Sequence, residues 1–151
     1  MELVTTLQAS EPAILDEAFS NLEQLHVHHY ETAGERFTRA ALDDLFTLVV
    51  NAIEHRDLSG VIQFAEGLAE QRFTSGFDIS EVQTAFNSLE TAMWRRVVAT
   101  EPAADLPEAV GLLSTVFGVA KDALARRYVS LASQKRVPSL DLSALFGGTI
   151  S

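Results

Sequence analysis

The chain has 151 residues, of which 47% are hydrophobic, and a formal net charge of −10. This length predicts one domain with an apolar core, and the acidic charge disfavours binding to nucleic acid or anionic membranes, which attract basic proteins. The sequence contains no cysteine, which excludes disulfides, zinc–thiolate sites, iron–sulfur clusters and thiol catalysis.

The N-terminal stretch MELVTTLQASEP lacks the basic start and apolar core of a signal peptide. The apolar runs are too short to span a bilayer, so we expect a cytoplasmic protein that does not enter a membrane. The first predicted helix begins near Ser10 and Pro12, because a capping residue followed by an early proline favours a helix start. It runs towards Tyr30 with one apolar stripe, formed by Ile14, Leu15, Ala18, Leu22 and Leu25.

The second and third predicted helices show the same amphipathic period. The second begins at Thr32, which we interpret as an N-cap paired with Glu35 in a capping box, and it ends near Arg56. Its stripe consists of Phe37, Ala41, Leu45, Leu48, Val49, Ala52 and Ile53. The third opens at Asp57 and ends at a TSG turn, where Gly76 is suited to a positive φ. Its stripe consists of Leu58, Val61, Ile62, Ala65, Leu68 and Ala69.

The fourth predicted helix has the clearest start, GFDISEV, in which Asp78 and Glu81 form a capping box. Its apolar seam consists of Ile79, Val82, Phe86, Leu89, Met93 and Val97. The fifth starts around Asp105 and ends near Arg136, before Pro138. Its stripe consists of Val110, Leu113, Phe117, Ala120, Leu124, Tyr128 and Leu131. This pattern predicts an all-α fold, a single-domain bundle of about five helices.

The predicted helical domain covers residues 1–136, and residues 137–151 form a tail or linker. The tail is apolar, with Leu140, Leu142, Leu145 and Phe146. We expect it either to dock against the bundle or a partner chain, or to be a frayed terminus.

Three of the four histidines fall in the run LHVHHY, residues 25–30. On a regular helix His26 and His29 share a face while His28 points elsewhere, so the three do not converge on one ion. We therefore interpret the run as one end of a helix with partly exposed imidazoles. A role in pH sensing stays open, because histidine titrates near neutral pH.

Metal and haem sites are the alternatives to this interpretation. Glu23 and His26 form the Glu-x-x-His pair of di-iron bundles, but the second pair is missing because His55 is preceded three residues earlier by Ala52. A haem ligand must point into an apolar pocket, whereas His55 has charged neighbours. A metal- or haem-dependent protein is thus the less favoured alternative.

Sequence motifs for catalysis are absent: there is no Gly-x-Ser-x-Gly elbow, P-loop or dinucleotide fingerprint. Asp43 and Asp44 are adjacent and diverge on a helix, and Glu66 and Glu70 are typical of a solvated face. We predict a non-catalytic protein without a cofactor.

The candidate interaction residues lie on the last two predicted helices. Trp94 stands beside the apolar seam of the fourth helix, where it either fills a core edge or anchors a subunit interface. The basic pair Arg126 and Arg127 either complements a helix dipole or contacts a partner. We predict a dimer or partner interface that uses exposed positions, including Trp94 and Tyr128, with Arg126 and Arg127.

The stretch RFTSGFDISEVQTAFNSLETAMWRRV resembles the N-terminal helical domain of the RsbR-type co-antagonist family of bacterial stress regulators. The matching features are an aromatic–Asp–Ile–Ser–Glu–Val helix start, an apolar seam, and a tryptophan followed by basic residues. The upstream ALDDLFTLVVNAIEHRDLSGVIQFAEGLAEQR and the later ALARRYVSLAS follow in the same order, so that the resemblance covers about residues 13–135.

The resemblance implies a signalling input domain that dimerises, has a globin-like form without haem, and acts on a STAS-type or other output domain. The sequence stops soon after the fifth predicted helix, so we expect either a fragment of a longer regulator or a stand-alone module whose tail replaces the linker. The family offers no catalytic motif to transfer. The alternative is a small-molecule-binding module whose apolar pocket is lined by Phe46, Phe64, Phe73, Phe86 and Phe117.

Overall fold

The computed structural model describes the backbone of residues 2–139 and the side chains of residues 2–135. Within this range the regular elements are seven α-helices and one short 3-10 turn, with no strand. The helices are α1 (Glu2–Ala9), α2 (Glu11–Gln24), α3 (His28–Ala33), α4 (Glu35–His55), α5 (Ser59–Thr74), α6 (Ile79–Thr100) and α7 (Leu106–Ser139). The all-α class is confirmed, whereas the globin-like form stays a prediction.

α1 was not predicted from the sequence. Leu3, Val4 and Leu7 are buried on one side of this helix, which packs against α4 and α6. Eight residues hold too few turns for an apolar period to stand out, and the β-branched run Val4-Thr5-Thr6 is a weak helix former.

The first predicted helix is two helices. α2 ends at Gln24, and His26 takes a left-handed conformation with φ of 51° before α3 begins at His28. The expectation of one helix reaching Tyr30 was therefore wrong. Leu25, which the apolar stripe placed in the core, is exposed at the break.

The start of α4 also differs from the prediction. Thr32 lies inside α3, so it does not cap α4, and the expected pairing with Glu35 is wrong. Gly34 is the N-cap instead, with φ of 98°, a backbone conformation that glycine adopts without steric cost. α4 ends at His55, one residue from the expected Arg56.

The predicted boundaries of α5 and α6 are close to those observed. Asp57 accepts hydrogen bonds from the backbone N–H and the hydroxyl of Ser59, at 2.9 and 2.8 Å, where α5 begins. Gly76 has the predicted positive φ, 88°. Asp78 and Glu81 form the predicted capping box of α6.

α7 is the longest helix described and continues to Ser139, past the expected end near Arg136. It packs against α5 and α6, with Leu113, Phe117 and Leu124 fully buried. By length and composition the stretch Ala103–Lys135, which includes most of α7, is apolar enough to cross a membrane, contrary to the sequence-based expectation. One such helix is weak evidence for a membrane span, because core helices of bundles pass the same test. The predicted docking or fraying of the tail falls on residues 140–151, which lie outside the described part.

Candidate functional site

The histidine run is divided by the break between α2 and α3. His26 and His28 are exposed, and His26 Nδ1 lies 3.0 Å from Glu31 Oε2. His29 turns inward and lies 2.7 Å, through Nδ1, from Glu81 Oε1. Among residues 2–139, no group of three or more His, Asp or Glu side chains is arranged to hold a metal ion.

Glu81 joins the first turns of two helices. One carboxylate oxygen accepts the N–H of Asp78, the N-cap of α6, at 2.9 Å, and the other accepts the N–H of His29 in α3 at 2.9 Å. Burial alone would raise the pKa of Glu81, but these two backbone N–H groups and the His29 imidazole lower it below its ordinary value. The carboxylate is thus held ionised at the positive ends of both helices.

Arg72 is a second polar group in the core that the sequence analysis did not single out. Its side chain is only 5% exposed. Nε donates to Tyr30 Oη at 3.4 Å and Nη1 donates to Gln71 Oε1 at 3.1 Å. The guanidinium also lies over the rings of Phe37 and Phe77, at 4.7 and 5.4 Å from their centroids.

The charge of Arg72 has no carboxylate partner in the described part of the chain. A buried guanidinium ordinarily pairs with an acid, because removing its charge from water is costly. Here the aromatic rings supply cation–π contacts in place of that partner. A sequence signal was present, since Arg72 continues the buried Val61–Ala65–Ala69 stripe at the position where an apolar residue is expected.

Tyr128 belongs to the core and not to the surface. It is 7% exposed, its ring packs against Phe73, and its hydroxyl donates to the carbonyl oxygen of Phe77 at 3.0 Å. Burial raises the pKa of Tyr128 to about 12. The expectation that Tyr128 is an exposed interface position was therefore wrong, because its place in the apolar stripe of α7 decides its burial.

Trp94 has the exposure that an interface residue needs. Its exposed fraction is 45%, and Val98, one turn further along α6, is 44% exposed. A large aromatic and an aliphatic side chain thus stand together on the outer face of α6. The interface role of Trp94 stays a prediction.

The two arginines of the predicted interface have different surroundings. Arg127 binds Glu70 of α5, with Nε donating to Oε1 at 3.0 Å, so it connects α5 and α7. Arg126 pairs with Asp122 one turn earlier at 2.9 Å and remains largely exposed. Arg126 is therefore the more accessible of the two for a partner.

The phenylalanines of the alternative ligand pocket do not share one environment. Phe46, Phe86 and Phe117 are fully buried in the core. A cavity beside Phe86 measures about 10 Å³, room for a single water molecule. Phe64 instead lines a surface cleft of about 290 Å³ between α4 and α5, and Arg72 lines the same cleft.

These features define a helical domain with buried polar groups at its helix ends and with Trp94 and Val98 exposed on its surface, and within residues 2–139 they include no recognisable catalytic centre. The family model for the RsbT co-antagonist protein rsbRD N-terminal domain matches residues 2–134. The chain therefore belongs to this family of stress-signalling regulatory domains. No curated protein and no solved structure matches it.

Proposed function

We propose that this chain is a non-catalytic, cytoplasmic input domain that forms a homodimer and relays a stress or ligand signal to an output domain or protein partner. Membership of a regulatory signalling family supports this function. We infer the dimer from the composition of the outer face of α6.

Trp94 and Val98 stand on the outer face of α6 in a patch of uncharged positions that charged side chains border. The uncharged neighbours are Thr84, Asn87 and Thr91, and the bordering residues are Glu90, Arg95 and Glu101. Protein interfaces are depleted of charge at their centre and enriched in tryptophan, so the patch suits a second copy.

The outer face of α7 supports the same proposal. Lys121 of α7 binds Asn87 and Glu90 of α6, at 3.1 and 2.9 Å, which holds the two helices side by side. A Cβ placed on Gly118 of α7 would meet no atom within 4 Å in the single chain, as is also the case for Gly60 and Gly67 of α5. Glycine weakens a helix, and close approach of another chain is one reason to keep it there.

Light scattering coupled to size-exclusion chromatography tests the dimer at micromolar concentration. We expect a mass of twice the 16.5 kDa chain mass. Trp94→Asp and Gly118→Leu should each give monomers, since the first places a charge in the interface and the second places a side chain where the partner helix approaches.

Gly60→Leu is the matched control, because Gly60 lies in α5 and its Cβ position is also open. It should stay dimeric. A monomeric wild-type chain, or two interface variants that dimerise like the control, would contradict the proposed dimer.

The relay is assigned to α7. The ring of Tyr128 packs against Phe73 near the end of α5, and α7 continues from there to Ser139, about 16 Å further at 1.5 Å per residue. A shift of packed helices would thus be carried away from the bundle. We expect a STAS-type output domain to bind the chain in calorimetry, more weakly for Arg126→Glu; an unchanged affinity would exclude Arg126 from the contact.

A further inference from the structure

The cleft between α4 and α5 is open to solvent and is lined in part by the buried arginine, Arg72. Arg72 lines this cleft, together with Gln71 and Phe64 from α5 and Asp44 from α4. A guanidinium has five N–H donors, and the two hydrogen bonds of Arg72 leave further donors for a ligand. A carboxylate is the group that matches this planar donor set.

Asp44 adds the opposite charge to the same cleft. Its side chain is exposed, and it forms no ion pair in the described part of the chain. A simple anion would be attracted by Arg72 but repelled by Asp44. A molecule that carries both a carboxylate and an amino group satisfies both residues.

Gly67 keeps the cleft open. It lies inside α5 and lines the cleft, and a Cβ added to it would meet no atom within 4 Å. The space above its backbone is bordered by Phe64 and Leu68, which provide an apolar wall. The volume of about 290 Å³ lies just below the range of drug-sized ligand sites, about 300–1,000 Å³, and suits a smaller molecule.

We propose that the α4–α5 cleft binds a free amino acid, with its carboxylate on Arg72, its amino group on Asp44 and its side chain against Phe64 and Leu68. The site itself follows from these contacts. Its role as the place where the signal enters rests on the proposed function.

Calorimetric titration of the purified chain with each proteinogenic amino acid tests the proposal. We expect saturable binding of at least one, with leucine as the first probe because the cleft wall is apolar. Two leucine analogues measure the contribution of each charged group to the affinity. One is 4-methylpentanoate, which lacks the amino group, and the other is 3-methylbutylamine, which lacks the carboxylate. Each should bind at least about tenfold more weakly, since each leaves one charged side chain unmatched. An absence of saturable binding across the panel, or equal affinity of the analogues, would overturn the proposal.

Variants of α5 locate the site. Gly67→Leu should fill the cleft and abolish binding, whereas Gly60→Leu, on the same helix but away from the cleft, should leave it unchanged. Arg72→Lys keeps the positive charge but loses the planar donor set, so the affinity should fall by about tenfold or more. Circular dichroism checks that each variant is folded. Equal binding by the two leucine variants would place the ligand elsewhere and reject the cleft.

Light scattering on the same samples separates this inference from the proposed function. A dimer that binds no amino acid rejects the inference alone. A monomer whose amino acid binding is lost in Gly67→Leu supports the site and rejects the dimer.

Discussion

The carboxylate of Glu81 accepts a hydrogen bond from the backbone N–H of His29 at 2.9 Å, across 52 positions of sequence. Because the same carboxylate also accepts the N–H of Asp78, one side chain fixes the start of α6 and the docking of the short helix α3. α3 has six residues, too few to be stable as an isolated helix, so its order depends on such contacts.

Glu81→Ala should therefore destabilise the protein by about 1–2 kcal/mol, through loss of the capping interaction and of the bonds to His29. Urea unfolding measures the loss, and hydrogen exchange should increase first in α3. Glu66→Ala is the control, because Glu66 is an exposed position of α5. Equal effects of the two substitutions would show that Glu81 has no special role.

Acid should weaken the same contact. The folded pKa of Glu81 lies below the ordinary value of 4.5, so its contribution to stability is complete above that value and is lost as pH falls through the folded pKa. We expect the difference in unfolding free energy between wild type and Glu81→Gln to shrink as pH falls below about 5. A difference that does not change between pH 5 and pH 3 would contradict this assignment.

Asp43 and Glu11 form a pair of carboxyl groups in which the pKa of Glu11 is shifted upwards, opposite to the shift of Glu81. A hydrogen bond with Asp43, then burial and charge repulsion raise the pKa of Glu11, and Asp43 Oδ1 is buried without a partner. Asp43→Asn supplies an amide donor to the Glu11 carboxylate and should stabilise the protein at pH 7 by about 0.5–1 kcal/mol. Because the folded pKa of Glu11 is raised, the wild-type pair stabilises the fold below pH 4.5, and this contribution is lost as pH rises through the folded pKa. The stability gained by Asp43→Asn should therefore vanish in acid. Asp44→Asn, at the exposed neighbouring position, should show no such pH-dependent gain in unfolding experiments.

Tyr128→Phe should cost about 1 kcal/mol, because the carbonyl of Phe77 loses its buried donor. Tyr128 also links stability to alkaline pH. Its folded pKa of about 12 exceeds the ordinary value of 10, so the neutral phenol stabilises the fold below pH 10, and this contribution is lost as pH rises through the folded value. Absorbance of tyrosinate and circular dichroism, followed together, should show the variant losing less stability than wild type above pH 10.

The sequence predicted those features that depend on local chemistry. The Asp78–Glu81 capping box and the left-handed Gly76 each follow from residue types at fixed spacing, and both were found. The apolar stripe of α7 also placed Leu113, Phe117 and Leu124 correctly in the core. These patterns need no knowledge of distant residues.

Features that depend on distant partners were missed. The turn at His26 interrupts a continuous helical period, and the structure places the following α3 against Glu81, which no local pattern in LHVHHY indicates. Arg72 is similar, because its burial depends on Tyr30, Phe37 and Phe77 from other segments. Tyr128 shows that a stripe position in a long helix is a better guide to burial than the frequency of tyrosine at interfaces.

The length of α7 turns it into a lever. The helix is held by the core as far as Tyr128 and ends at Ser139, about 16 Å further along its axis. A tilt of about 10° at Tyr128 would displace Ser139 by about 3 Å, which exceeds the radius of the helix backbone, about 2.3 Å. A movement too small to disturb the packing of the bundle would thus be magnified into a change of position that a neighbouring molecule can detect.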